Sequence, residues 1–366
     1  MVRWLTGDSE LDVPADPGRV HAEGRTARAA LEVAREQVAA LLGMPPRSVV
    51  LTSGGTEAVN AACFGATRAR PGAPVLLARV EHSSVREASE RFAETIDVAV
   101  DGSGRIDPEH VDATLARLAA AGRNAALVHC QAANHEVGTI QPVGAVAEAC
   151  QRHGTLLHVD ACASAGHLPS EAATFGADLV SVSSHKLGGP PGVGALVVRR
   201  GQRIDPLIVG GSQERGRRAG LENLPAAIGF GAAAAALVQP GAVEREAEKA
   251  RAQVASLTSA AIAVEGVEVL GDPDPAGHLP HVVCFAVEGV EGEPLLLALD
   301  QTGIAAHSGS SCSSEALEPS PVLTAMGKDP ERSLRVSVGW STTDADVEAF
   351  CQSFGPALER LRMLRT

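Results

Sequence analysis

Short β-rich runs alternate with helical patterns through the first half of the chain, and this alternation restricts the fold more than any other feature. The runs fall at residues 48–51, 75–80, 98–100, 126–129, 155–159, 179–183 and 194–198. Strands alternating with helices in this way form a mainly parallel sheet covered on both faces, so the class is α/β. An amphipathic helix precedes the first run, with Leu31, Ala34, Val38, Leu41 and Leu42 on one face between Thr26 and Gly43. In open α/β sheets the ligand lies beyond the carboxyl ends of the strands. The polar residues His82, Asn134, Asp160 and Ser183 with Lys186 fall there.

Near residue 237 the texture changes. A charged helix at 244–257, strand-like runs at 267–270 and 282–286, a helix from Glu293 and a last helix from Asp344 predict a smaller α+β domain. The expected division is residues 20–236 for the large domain and 237–366 for the small one, the latter joined by residues 1–19. At 366 residues and 45% hydrophobic, the chain can bury one large core and one smaller one.

A net charge of −13 argues against a nucleic-acid partner, which would need clustered Lys and Arg. The tightest basic cluster, Arg215, Arg217 and Arg218, reads as a loop or a subunit contact. No run of eighteen apolar residues occurs, and the start of the chain lacks the apolar core of a signal peptide, so no membrane partner and a cytoplasmic location are expected. The seven cysteines are scattered without a Cys-x-x-Cys pair, which argues against a disulfide framework and a zinc ribbon.

Lys186 is one of only three lysines, with Lys249 and Lys328, because Arg takes nearly every other basic position. It follows Ser183, Ser184 and His185 in a polar break between two β-rich runs. A lysine that must form an imine or deprotonate needs such a sheltered setting. Upstream, Thr52-Ser53-Gly54-Gly55-Thr56-Glu57 runs from a strand through a glycine turn into a helix. Backbone amides and the positive end of a helix dipole converge there, which suits a phosphate, although a plain capped helix start reads equally well. Asp160 ends an apolar strand 26 residues before Lys186. Lysine, strand-end aspartate and phosphate turn are together the parts needed to hold pyridoxal phosphate: an imine, a partner for the ring nitrogen and a cradle.

Other candidates leave alternatives open. His82 is placed to lie over a ring or move a proton, or is structural. His185 contacts phosphate or caps the turn. Cys312, among small polar residues, is either a mobile nucleophile or an inert loop thiol. Cys63, Cys130 and Cys284 have the apolar neighbours of core thiols. Arg335 alternates with apolar residues in Ser333-Leu334-Arg335-Val336-Ser337 and offers a fork for a carboxylate or simply an exposed strand residue.

These segments, with Glu81-His82, Asn134-His135-Glu136-Val137-Gly138, His158-Val159-Asp160, Gly210-Gly211-Ser212-Gln213-Glu214-Arg215 and Ser308-Gly309-Ser310-Ser311-Cys312, resemble the cysteine desulfurases. These belong to the fold-type I, aminotransferase class V pyridoxal phosphate enzymes, and the resemblance is to the branch with a long cysteine-bearing loop. It implies that Lys186 forms the imine, Asp160 pairs with the ring nitrogen, His82 stacks on the ring and Asn134 contacts the ring-hydroxyl side and the substrate. Gly55, Thr56, Ser183 and His185 would hold the phosphate, Arg335 the substrate carboxylate, and Cys312 would take sulfur from L-cysteine as a persulfide, leaving alanine. A sulfur-acceptor protein or thiol and a homodimer are the implied partners. Three departures stand out: Ala163 replaces the glutamine of the family's Asp-x-x-Gln, Leu221 replaces the threonine of its Gly-Thr, and the N-terminal motif has no counterpart before His21. They motivate two alternatives, a pyridoxal phosphate-dependent carbon-sulfur or selenocysteine lyase, and a non-catalytic homologue serving as a sulfur-transfer partner.

Overall fold

The computed structural model describes residues 1–2, 4, 15–169, 176–308 and 319–364. Helix α1 (Ala22–Leu41) begins four residues before the expected Thr26, because His21 caps it by accepting the Gly24 amide through its side chain. Its stripe of Ala27, Leu31, Ala34 and Val38 is buried and packs on α6 (Leu224–Leu237).

Seven strands form the large sheet: β1 (Val49–Thr52), β2 (Val75–Ala78), β3 (Thr95–Val98), β4 (Leu127–Gln131), β5 (Leu156–Asp160), β6 (Leu179–Ser183) and β7 (Gly194–Val198). Their order is β1-β7-β6-β5-β4-β2-β3, and β7 alone runs against its neighbours. Helices α2 (Gly55–Ala69), α3 (Ser83–Phe92), α4 (Pro108–Ala120) and α5 (Val143–Arg152) connect strands. Every residue of β4, β5, β6 and β7 is buried, as a sheet covered on both faces requires. β3 lies ahead of the expected 98–100 run, and Val100 instead makes an isolated bridge to Ile106. As the edge strand β3 buries only Val98, so its hydrophobic signal is weak.

A second, antiparallel sheet follows in the order β10-β9-β8, from β8 (Val267–Leu270), β9 (Val282–Val287) and β10 (Ser333–Ser337). Helices α7 (Ala242–Ile262), α8 (Gly292–Asp300), the short α9 (Pro321–Ala325) and α10 (Asp344–Met363) accompany it. Phe285, Leu295, Leu334, Phe350 and Phe354 form a core of their own. On the other face Cys284 joins the larger core, and its register partner in β10 is Arg335. Cross-strand partners share a face, so the small sheet turns Arg335 toward the large one. No single helix among the described residues is long and apolar enough to cross a membrane.

Candidate active site

Strand parity builds the floor of the site. Gln131 and Asp160 are register partners at the ends of β4 and β5, and Ser183 ends β6 beside them. After Ser183 a single 3-10 turn, Ser184–Leu187, lifts the chain over these ends and stops at Gly188, whose φ of 83° is the left-handed conformation that favours glycine. Lys186 stands on this turn. Its ammonium has no hydrogen bond or ion pair among the described residues and borders a cleft of about 330 Å³.

Opposite Lys186 lies the start of α2. Gly54 caps it without any side-chain hydrogen bond, so the amides of Gly55 and Thr56 lack a partner within the helix. A Cβ on Gly194 of β7 would stand 2.8 Å from the Gly54 Cα, so only glycine lets the turn approach this closely. The turn is braced from behind: the Ser53 amide donates to Glu57 Oε2 at 2.8 Å, and Arg218 donates to both Glu57 oxygens at 2.9 and 3.2 Å. Beneath it, buried Glu214 accepts from Arg35 Nη2 at 2.8 Å and from the Leu51 amide at 2.9 Å. Arg215 and Arg217 are also spent on their own chain, on Glu32 and the Arg47 carbonyl, so the basic cluster is a loop fastening.

Gly55, Thr56, His82, Asp160, Ser183, His185, Lys186 and Arg335 all line the cleft. His185 and Ser183 bond through Nδ1 and Oγ at 3.0 Å, next to the α2 start. Asp160 accepts the Cys162 amide through Oδ1 at 2.9 Å. His82 caps α3, its Nδ1 taking the Ser84 amide at 3.1 Å, which leaves the hydrogen of the neutral ring on Nε2. Crowding by protein outweighs the pull of Asp160 and, with Lys186 and Arg86 near, holds this imidazole below its ordinary pKa. Arg335 donates through Nη1 to the His135 carbonyl at 3.0 Å and pairs through its backbone with His307.

Asn134 is the exception. It is fully buried and does not border the cleft; its amide donates to the Val80 carbonyl at 3.0 Å and accepts from Glu136 and Val137 at 2.8 Å each. The side chain shapes the turn after β4 in place of the expected ring and substrate contact. Cys312 lies outside the described residues. Ala163 lines the cleft, and Leu221 is a 63% exposed surface residue.

The structure adds Gln131, His135, Cys162 and His307 to the lining. Gln131 could have been found from strand parity, since it ends β4 as Asp160 ends β5. Burial, reinforced by Asp160, pushes the Cys162 thiol well above its ordinary pKa. Glu81 lies behind the floor, fully buried, with Oε1 accepting the Gln131 amide at 2.7 Å. Burial and then the Asp160 charge push its carboxyl up to about 8.

An uncapped helix start facing a lysine across a strand-end aspartate is the arrangement of a phosphate-bearing cofactor that bonds an amine. The aminotransferase class-V family model matches residues 14–350, and the chain belongs to that family. A cysteine desulfurase of Trichormus azollae is 37% identical over 363 residues, covering 96% of this chain and 88% of its own length. A NifS-like protein of known structure superposes with a TM-score of 0.87 at 28% identity, covering 98% of this chain and 95% of its own. A structure described as SspA in complex with cysteine matches with a TM-score of 0.76 at 26% identity, covering 92% and 94%. Enzymes of this family are generally dependent on pyridoxal phosphate, and the residues present fit it: an uncapped amide cradle, a carboxylate at the cleft floor and a lysine with no partner among the described residues.

Proposed function

We propose that this protein is a pyridoxal phosphate-dependent cysteine desulfurase that converts L-cysteine to L-alanine and takes the sulfur onto Cys312. The convergence of Lys186, Asp160, the uncapped start of α2 and Arg335 on one cleft carries this reading. When bound, the cofactor supplies an electron sink for the charge that develops at the substrate Cα. The Gly55 and Thr56 amides with Ser183 and His185 would hold its phosphate, and Asp160 its ring nitrogen. Lys186 Nζ takes the substrate α-hydrogen, and the Arg335 guanidinium fixes the substrate carboxylate. Cys312 Sγ attacks the substrate sulfur. The carbon-sulfur bond breaks with its electron pair left on carbon, and protonation there gives alanine.

The other six thiols support Cys312 in this role by their environments. Burial pushes Cys63 and Cys150 up to about 12, and raises Cys130, Cys162, Cys284 and, less deeply placed, Cys351. A thiolate is the nucleophile, so none of the six is suited to attack at neutral pH. His307 lines the cleft five residues before Cys312. Five extended residues span up to roughly 17 Å, ample for the thiol to reach the substrate.

Alanine release from L-cysteine with added pyridoxal phosphate tests the activity. Wild-type protein should gain the mass of one sulfur atom on the peptide containing Cys312, and Cys312→Ser should lose both sulfur transfer and alanine formation while keeping a yellow cofactor. Undiminished turnover by Cys312→Ser would refute the reading and favour a carbon-sulfur lyase. We further place the protein in the cytoplasm as a homodimer that hands sulfur to an acceptor protein or thiol. Exposed Val209 and Leu221 on the fastened loop support the dimer, which sedimentation would test.

A further inference from the structure

Two histidines that do not line the cleft stand directly behind Lys186. The rings of His167 and His281 stack with centroids 3.7 Å apart and planes 23° from parallel. His167 lies in the turn after β5, and its Nε2 donates to the Lys186 carbonyl at 2.9 Å. A carbonyl only accepts, so the ring hydrogen sits on Nε2. His281 precedes β9 and accepts the Val338 amide through its own carbonyl at 2.9 Å, which fastens it to the small sheet. Its Nδ1 is buried without a hydrogen-bond partner. One stack therefore joins the turn carrying the reactive amine to the body carrying Arg335.

We propose that His167 and His281 are positioning residues: stacked and uncharged they fasten the Lys186 turn to the small domain, and protonating the pair releases it. The inference rests on Lys186 being the cofactor-bonding amine. Lys186 and Glu246 face His167, while His167, Lys186, His278 and Arg335 face His281. Of the influences on these rings, the Lys186 carbonyl that takes the His167 hydrogen bond and then Glu246 favour a positive charge on His167, and none favours one on His281. Burial is the largest influence on both rings, lowering His167 and bringing His281 to about 2. Free histidine titrates near 6.5, so the fastening is complete above that pH and is lost as pH falls toward the lowered folded values.

Trp340, 71% exposed, borders the same cavity as both rings, and Trp4 is the chain's other tryptophan. In a Trp4→Phe background, emission then reports on this junction alone. The experiment follows emission and the visible band of bound pyridoxal phosphate from pH 8 down to 3.5, with cofactor-free protein in parallel and far-UV circular dichroism marking global acid unfolding. Emission should hold constant above about pH 6.5 and change as pH falls from there toward the lowered folded values, with and without cofactor, and the visible band should change with it. His281→Phe, which keeps a stacking ring without a titrating nitrogen, should abolish the shared transition. His281→Ala should weaken cofactor retention roughly tenfold. If His281→Phe does not fold, His167→Gln, which keeps a donor for the Lys186 carbonyl without an imidazole, should abolish the transition instead. A flat wild-type emission profile, or a non-titrating variant that matches wild type at every pH, overturns the proposal. Borohydride reduction at pH 8 separates the premise: absence of an adduct on Lys186 removes the lysine's role and the proposal with it, whereas a normal adduct with matching pH profiles removes the proposal alone.

Discussion

The two walls of the cleft are built differently. On the side of the seven-stranded sheet, Gln131, Asp160 and Ser183 end strands whose every residue is buried, so register and packing fix their positions. On the other side, Arg335 comes from the three-stranded sheet and has one side-chain hydrogen bond among the described residues, to a carbonyl across the gap. Sites built on packed strands hold their geometry closely, whereas a group held by one contact can follow its ligand. In the proposed function the cofactor rests on the fixed wall and the changing substrate meets the adjustable one.

The largest effect should come from the fixed wall. Lys186→Ala should lower kcat by at least about 10³-fold and abolish borohydride-reducible colour. The side chain is exposed, so unfolding by denaturant should stay within about 0.5 kcal/mol of wild type; a larger loss would mean that the lysine also carries structure.

Next comes the foundation of that wall. Glu214→Ala leaves the buried Arg35 charge with only Glu32 and the Val49 carbonyl and removes the acceptor of the Leu51 amide, at a cost of about 2–4 kcal/mol in denaturant unfolding. The double variant Arg35→Met/Glu214→Leu should recover part of this, because the under-paired buried guanidinium is gone. Equal stability of the single variant and wild type would show that the phosphate turn does not depend on the pair.

The adjustable wall should respond in KM. Arg335→Ala removes a charged donor, worth about 1.5–3 kcal/mol, or roughly 10- to 100-fold in kcat/KM. Affinity for pyridoxal phosphate should be unchanged. A matching loss of cofactor affinity would break the division of labour between the walls.

The fixed wall is also the more legible in sequence. Lys186, Asp160 and the turn at Gly54 stand out because rarity, strand-end position and glycine content are local signals. The fold class is legible for the same reason, through the alternation of runs. Glu214 and Arg35 meet across 179 residues, and nothing near either announces the pair. His281 and His167 likewise meet only because two bodies pack together. Asn134 shows the opposite failure: its place after a strand suggests a ligand contact, yet the turn needs the same amide for its own backbone. Local chemistry identifies a polar side chain near a strand end, and only the surrounding backbone decides whether it remains available.

Glu81 offers the smallest and most discriminating test of how dry the fixed wall is. Its Oε1 takes the Gln131 amide, and its Oε2 is buried without a hydrogen-bond partner. The folded carboxyl, pushed from 4.5 up to about 8, holds its proton where the unfolded one has lost it. Stability should therefore fall as pH rises from about 4.5 to 8, on the order of 1–4 kcal/mol in total, and level off above. Glu81→Gln copies the protonated form, keeps the acceptor for Gln131 and removes the titration. Thermal unfolding between pH 7 and 9 isolates this group from His167 and His281, whose protonation lies at lower pH. The variant should already be the more stable at pH 7, with the difference growing up to about pH 8 and constant above it. Parallel curves would mean that Glu81 ionises freely in the fold. Water would then reach behind the strand ends, and the contrast between a fixed and an adjustable wall would lose its physical basis.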